Sequence, residues 1–138
     1  MSSREYWFNG TGVELLYFEG FCNPTQYEQL VDDVRSYELK LPYPLDSFKD
    51  DDNEGAIVVH AYTISALSDK EQLKNLQFYT AEELAAMIFD ALNEANYLNK
   101  EAYRVVEELD SLSNESFKAA FVKKIASCFS ELELCHYA

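Results

Sequence analysis

Glycine is scarce in this chain, and none of its four copies sits where phosphate chemistry needs one. Gly10 and Gly12 form a Gly-x-Gly between two β-prone segments. A phosphate-binding loop must instead run from a strand into a helix N-terminus, where backbone N–H groups and the helix dipole meet the anion. The Gly-x-Ser-x-Gly turn that presents a nucleophilic serine is also missing. Histidine occurs twice, as His60 and His136. His60 lies inside an apolar run, where an imidazole is more often a half-buried structural group than a general base. The three cysteines, Cys22, Cys128 and Cys135, are an odd number without scaffold spacing. Cys128, Cys135 and His136 offer zinc donors, but at a spacing unlike a closed site and without a fourth ligand. They read as free thiols and tail residues. Residues 1–6 lack the basic-then-apolar character of a secretion signal, and no apolar run approaches the roughly 20 residues of a membrane span. The expectation is a cytoplasmic protein without cofactor, metal or catalytic centre.

Positive charge is the other shortage. Lys and Arg number 11 against 25 Asp and Glu, a formal net charge of −14. The excess is spread along the chain: residues 1–69 carry 13 acids against 4 bases, and residues 70–138 carry 12 against 7. Such a surface repels polyanions, which argues against direct binding to nucleic acid or to an anionic membrane. It attracts basic proteins and speeds their association. A hydrophobic fraction of 48% separates the chain from disordered acidic sequences, which combine high charge with low hydrophobicity. At 138 residues it is expected to form one domain, burying roughly two-thirds of its unfolded surface.

What is present reads as α+β, with strands early and helices late. Residues 5–8 and 13–19 are aromatic, β-prone segments joined by Asn9-Gly10-Thr11-Gly12, a hairpin signal. Asn23-Pro24-Thr25-Gln26 is an N-terminal helix signature, with Asn23 as cap, Pro24 in the first turn and Gln26 reaching back. Tyr27, Leu30, Val31 and Val34 give that helix an apolar face, and it should end near Tyr37 because Pro42 and Pro44 follow. Residues 41–55 read as a long loop. Residues 56–64 are the longest β-branched and apolar run, the expected central strand of a small antiparallel sheet completed by the hairpin.

The second half reads as helices. Ser68-Asp69-Lys70-Glu71 is a capping box for a short helix through Leu76, and Thr80-Ala81-Glu82-Glu83 is a second capping box. The second opens a helix with Leu84, Ile88, Ala91, Leu92 and Ala95 inward. Asn99 caps a third helix carrying Tyr103, Val106 and Leu109. Ser113 or Asn114 starts a fourth, with Phe117, Phe121, Ile125 and Cys128 on one face. The alternation over residues 132–137 is too short to separate a strand from a helix tail.

With no catalytic motif, the acids themselves are the candidate chemistry. Asp46, Asp50, Asp51, Asp52 and Glu54 face a single Lys49, so their segment is expected to extend into solvent. A hard cation would suit such oxygens, but the segment lacks the central glycine of an EF-hand, and cation binding there reads as adventitious. On the Thr80 helix, Glu83, Asp90 and Glu94 recur at i, i+7 and i+11, one face rising about 10 and 6 Å along the axis. That cadence resembles phosphates along a nucleic-acid strand. Glu107, Glu108 and Asp110 are expected to extend the field from the next helix. Any one such stripe is ordinarily just a solvated face; the whole-chain imbalance is what sets this sequence apart. Tyrosine, present ten times, is a residue of interface hot spots, and Tyr43 and Phe48 are expected to be exposed beside the acids.

The sequence therefore points to a protein-binding inhibitor that blocks a basic, nucleic-acid-handling partner by imitating nucleic-acid charge. Its profile is similar to that of acidic anti-restriction and anti-CRISPR proteins of phages and mobile elements, in size and charge and not in any motif. Two alternatives use the same surface: an immunity protein against a nuclease toxin, and an acidic subunit of a larger assembly. A small enzyme built on His60 with Glu14 or Glu19 is a fourth reading, and it requires a pocket joining those groups.

Overall fold

The computed structural model describes residues 3–9, 12–42, 45–49, 55–59, 62–65, 81–128 and 133–137. The chain is α+β, with two small antiparallel sheets and a helical C-terminal half. The sheets comprise β1 (Ser3–Asn9), β2 (Gly12–Glu14), β3 (Leu45–Phe48), β4 (Ala56–Val59), β5 (Tyr62–Ser65) and β6 (Glu133–Tyr137). One sheet has the order β5-β1-β6 and the other β2-β4-β3.

The N-terminal hairpin expected from the Gly-containing connection does not form. β1 pairs with β5 and β6, whereas β2 pairs with β4. Of residues 13–19, read from sequence as one strand, only the start is strand, and Leu15–Phe21 is a 3-10 helix. The reason lies in the spacing of its apolar residues. Side chains three apart eclipse on a 3-10 helix, and Leu15, Phe18 and Phe21 are all buried. Period three serves the core here, while Leu16 and Tyr17 stay exposed.

The expected central strand is likewise divided. Ala56–Val59 is the middle strand of one sheet and Tyr62–Ser65 an edge of the other; His60 lies outside the described residues. Part of the expected long loop is strand: Leu45–Phe48 pairs antiparallel with β4, with Leu45 opposite Val59 and Phe48 opposite Ala56. The acidic run thus falls in the connection of a β3–β4 hairpin. The C-terminal segment resolves as strand, with Trp7 opposite Cys135 on β1.

The helices follow the sequence signals more closely. α1 (Pro24–Arg35) has the expected capping box: Asn23 Oδ1 accepts from Gln26 N at 2.8 Å, and Asn23 N donates to Gln26 Oε1 at 3.2 Å. Gln26 Nε2 also donates to the Asn96 and Leu98 carbonyls at 2.9 and 3.3 Å, so one side chain caps α1 and ties it to the turn after α2. α2 (Ala81–Glu94) buries Leu84, Ala85, Ile88, Phe89 and Leu92, while Ala91 is half-buried and Ala95 exposed. α3 (Lys100–Val106) is capped by Asn99, whose Oδ1 accepts from Ala102 N at 2.8 Å. α4 (Asn114–Cys128) starts at Ser113, whose Oγ accepts from Ser116 N at 3.0 Å. The expected helix over residues 68–76 lies outside the described residues.

An aromatic cluster joins the helices to the 3-10 segment. Phe121 lies 5.0 Å from Phe21 and 5.3 Å from Phe89, both edge-on, and 5.8 Å from Phe18. Tyr103 stacks on Phe21 at 5.0 Å. Edge-on and offset pairs each contribute about 0.5–1.5 kcal/mol beyond their burial, so residues 15–21 are held from several sides.

Candidate functional site

Acids that have a described environment remain at the surface. No polar or charged residue is buried among the described residues. In the helices, their connections, β2 and β3, Asp33 is the one half-buried acid and the others are exposed. This is what desolvation requires: an ionised carboxylate taken from water without a partner is very costly.

The acidic stripe of α2 is present. Glu83, Asp90 and Glu94 are all exposed on the helix. Their charges are not equivalent, because Lys118 Nζ from α4 lies 2.9 Å from Asp90 Oδ1 and 5.6 Å from the centroid of the Phe89 ring. The pair partly neutralises the middle of the stripe and fastens α2 to α4. Beside the stripe runs an open groove of about 530 Å³, in which Lys40, Pro42, Met87 and Ala91 meet Asp90 and Glu94. Sequence reasoning missed both bases, since Lys118 is distant in the chain from Asp90, and Lys40 from the α2 residues with which it lines the groove.

Asp46 and Phe48 stand on β3 and are exposed, Phe48 at 54%. Asp46 is partly engaged locally, its Oδ1 accepting from Ser47 N at 2.8 Å. Tyr43, Asp50, Asp51, Asp52 and Glu54 lie outside the described residues.

Glu107, Glu108 and Asp110 are exposed, but the expectation that they lie on the third helix is corrected. α3 ends at Val106, Glu107 is its C-cap, and Glu108 has a φ of 54°. The amides of Glu108 and Leu109 donate back to the Val105 and Arg104 carbonyls at 3.1 and 3.0 Å, the paired bonds of a Schellman ending. Arg104 donates to Glu101 at 2.9 Å and to the Leu109 carbonyl at 2.8 Å, bracing that turn. Val106 and Leu109, expected inward with Tyr103, are exposed at 66% and 38%.

Of the groups of the enzymatic reading, His60 lies outside the described residues. Glu14 and Glu19 are exposed on different elements. Among the described residues no group of three or more His, Cys, Asp or Glu converges as metal ligands, and no described helix is long and apolar enough to cross a membrane. Cys22 is buried, its Sγ–H donates to the Phe18 carbonyl at 3.3 Å, and burial pushes its pKa up to about 12, with Glu19 adding to the rise. Such a thiol is a packing group, not a nucleophile. Comparison with protein-family models, curated proteins and solved structures finds no match for this chain.

Proposed function

We propose that this protein is a cytoplasmic binding inhibitor that occupies the Lys/Arg-lined groove of a nucleic-acid-handling protein, its carboxylates taking the place of phosphates. The observation that carries the reading is the disposition of the charge. A net charge of −14 accompanies a described interior without charged residues, and Glu83, Asp90 and Glu94 share one exposed helical face. Exposed carboxylates around a packed core keep their charge at the surface, and a field of one sign steers a basic partner into contact. Asp46 and the acidic β3–β4 connection supply a second group of negative charges.

The test is affinity capture from the source lysate with elution by a salt gradient, followed by identification of the eluted protein and competition with duplex DNA and with RNA. The expected result is a DNA- or RNA-processing protein that elutes at moderate salt and is displaced by its own nucleic acid. The variant Asp46→Asn/Glu83→Gln/Glu94→Gln should lose at least tenfold in affinity for it. A nuclease toxin as partner would give the same electrostatics an immunity role. A partner retained through high salt, or indifferent to polyanion, would overturn the charge reading in favour of an acidic subunit.

A further inference from the structure

α3 carries an apolar stripe that faces away from the core. Ala102, Val105 and Val106 fall at i, i+3 and i+4 on the helix, the spacing by which a helix ordinarily buries one face, and Leu109 follows just past its Schellman ending. Yet α3 buries none of its residues. Val105 and Val106 are exposed at 63% and 66%, Leu109 at 38%, and Ala102 is half-buried. The contact with the rest of the molecule is made from another side, by Tyr103 stacked on Phe21. Val105 and Val106 on the helix, with Leu109 just beyond it, therefore form an exposed apolar patch beside the half-buried Ala102.

Its frame is acidic. Glu107, Glu108 and Asp110 follow directly and are exposed, crowding negative charge onto a helix C-terminus, where the helix dipole disfavours it. The occupant follows from this frame. A second copy of the chain would bring two bodies of −14 together with like-charged rims in contact, a repulsive arrangement. A neutral apolar segment would gain nothing from the acids. A basic amphipathic helix satisfies both features, laying its apolar side on the stripe and its Lys or Arg residues against the rim.

We infer that the exposed face of α3 is a docking seat for a basic amphipathic helix of the partner protein. The inference rests on the inhibitor reading and adds to it an apolar anchor outside the acidic stripe of α2. Apolar burial gives such a contact residence time, whereas charge alone mainly raises the rate of encounter.

The experiment uses the full chain and a synthetic 18-residue Lys/Leu helical peptide as probe, with amide chemical shifts and calorimetry as readouts. The expected result is saturable binding, with shifts centred on residues 102–109 and a tenfold or greater loss of affinity in Val105→Ser/Val106→Ser. Both side chains are exposed, so an unchanged melting temperature should show that the variant is folded. A scrambled peptide of equal charge that cannot form an apolar face should bind at least tenfold more weakly. Shifts centred on α2 or on the β3–β4 hairpin, an unaffected double-serine variant, or self-association through residues 102–109 would each overturn the seat. The same variant applied to the captured partner separates the two claims. A nucleic-acid enzyme that binds the variant as tightly as wild type removes the seat and leaves the inhibitor reading. A partner unrelated to nucleic acid that loses the variant does the reverse.

Discussion

Two residues show how closely individual side chains, or the lack of one, are tied to this packing. Gly55 is buried with a φ of 113°, and a Cβ there would stand 2.7 Å from the Phe48 carbonyl oxygen and 2.9 Å from Val34 Cγ1. Its own carbonyl accepts from Leu15 N at 3.1 Å, linking the start of β4 to the 3-10 helix. Gly55→Ala combines a disfavoured backbone with overpacking and should cost about 2–4 kcal/mol, read as a lower urea midpoint with the slope unchanged. Tyr97 presents a different coupling. Its hydroxyl donates to Asp33 Oδ2, joining the turn after α2 to α1, and its pKa is pushed up to about 12 by burial and by that carboxylate. The folded value lies above the ordinary 10.0, so the neutral phenol stabilises the fold fully below pH 10. That contribution disappears as pH rises from 10 towards 12. Tyr97→Phe should lower stability at pH 8 by about 1 kcal/mol, since the pair is only half-shielded from water. Urea midpoints of wild type and variant should converge as pH approaches 12, and a gap constant across that range would show that the hydrogen bond is not the source.

At the scale of elements, three helices end in the same way and none uses glycine. Tyr37, Asn96 and Glu108 have φ values of 58°, 65° and 54°, and each follows the C-cap of its helix in a Schellman turn. Left-handed backbone costs a side-chain-bearing residue roughly 1–2 kcal/mol, less for asparagine. Tyr37→Gly and Glu108→Gly should therefore each raise stability by about 1 kcal/mol, and Asn96→Gly by a few tenths, in equilibrium urea unfolding. Glu108→Gln separates backbone relief from the loss of a charge. For Glu108 the stability gain should accompany weaker binding at the seat on α3, because the same change removes a rim acid. These endings also mark where sequence reading stopped. Helix starts were legible because Asn23, Asn99 and Ser113 each act on the amide three residues on. The end of α1 near Tyr37 was legible from Pro42 and Pro44, but the end of α3 was not, because Glu108 carries no glycine signal for the turn it makes. Pairing was lost for a similar reason. The alternation of residues 13–19 resembles a strand until Phe18 and Phe21 are seen to meet Phe121, and Leu45–Phe48 is too short to declare itself without β4 beside it. The acids were legible as surface groups from composition alone. The partial neutralisation of Asp90 by Lys118, and the exposure of Val105 and Val106, depend on how distant parts of the chain pack.

For the molecule as a whole, charge and stability pull against each other. A net charge of −14 on 138 residues is held on a surface whose bases number less than half its acids, so the folded state stores self-repulsion that the expanded chain relieves. A binding protein of the proposed kind needs that field, and the aromatic core built around Phe121 is what offsets its cost. Screening should expose the balance directly. The Debye length falls from about 30 Å at 0.01 M salt to about 10 Å at 0.1 M and shorter beyond, so the melting temperature should rise as sodium chloride increases from 10 to 300 mM. Neutralising exposed acids chemically should do the same. Glu28→Gln/Glu38→Gln/Glu94→Gln, measured at 10 mM salt, should gain about 1 kcal/mol, roughly 3–5 °C in melting temperature. Because both treatments relieve one repulsion, their effects should overlap, and the gain from the triple substitution should shrink by about half or more at 300 mM. A gain independent of salt would mean that the three acids act through local contacts. A melting temperature indifferent to salt in the wild type would mean that ion pairs such as Lys118–Asp90 already balance the surface, and the field on which the binding proposal depends would be weaker than the charge count implies.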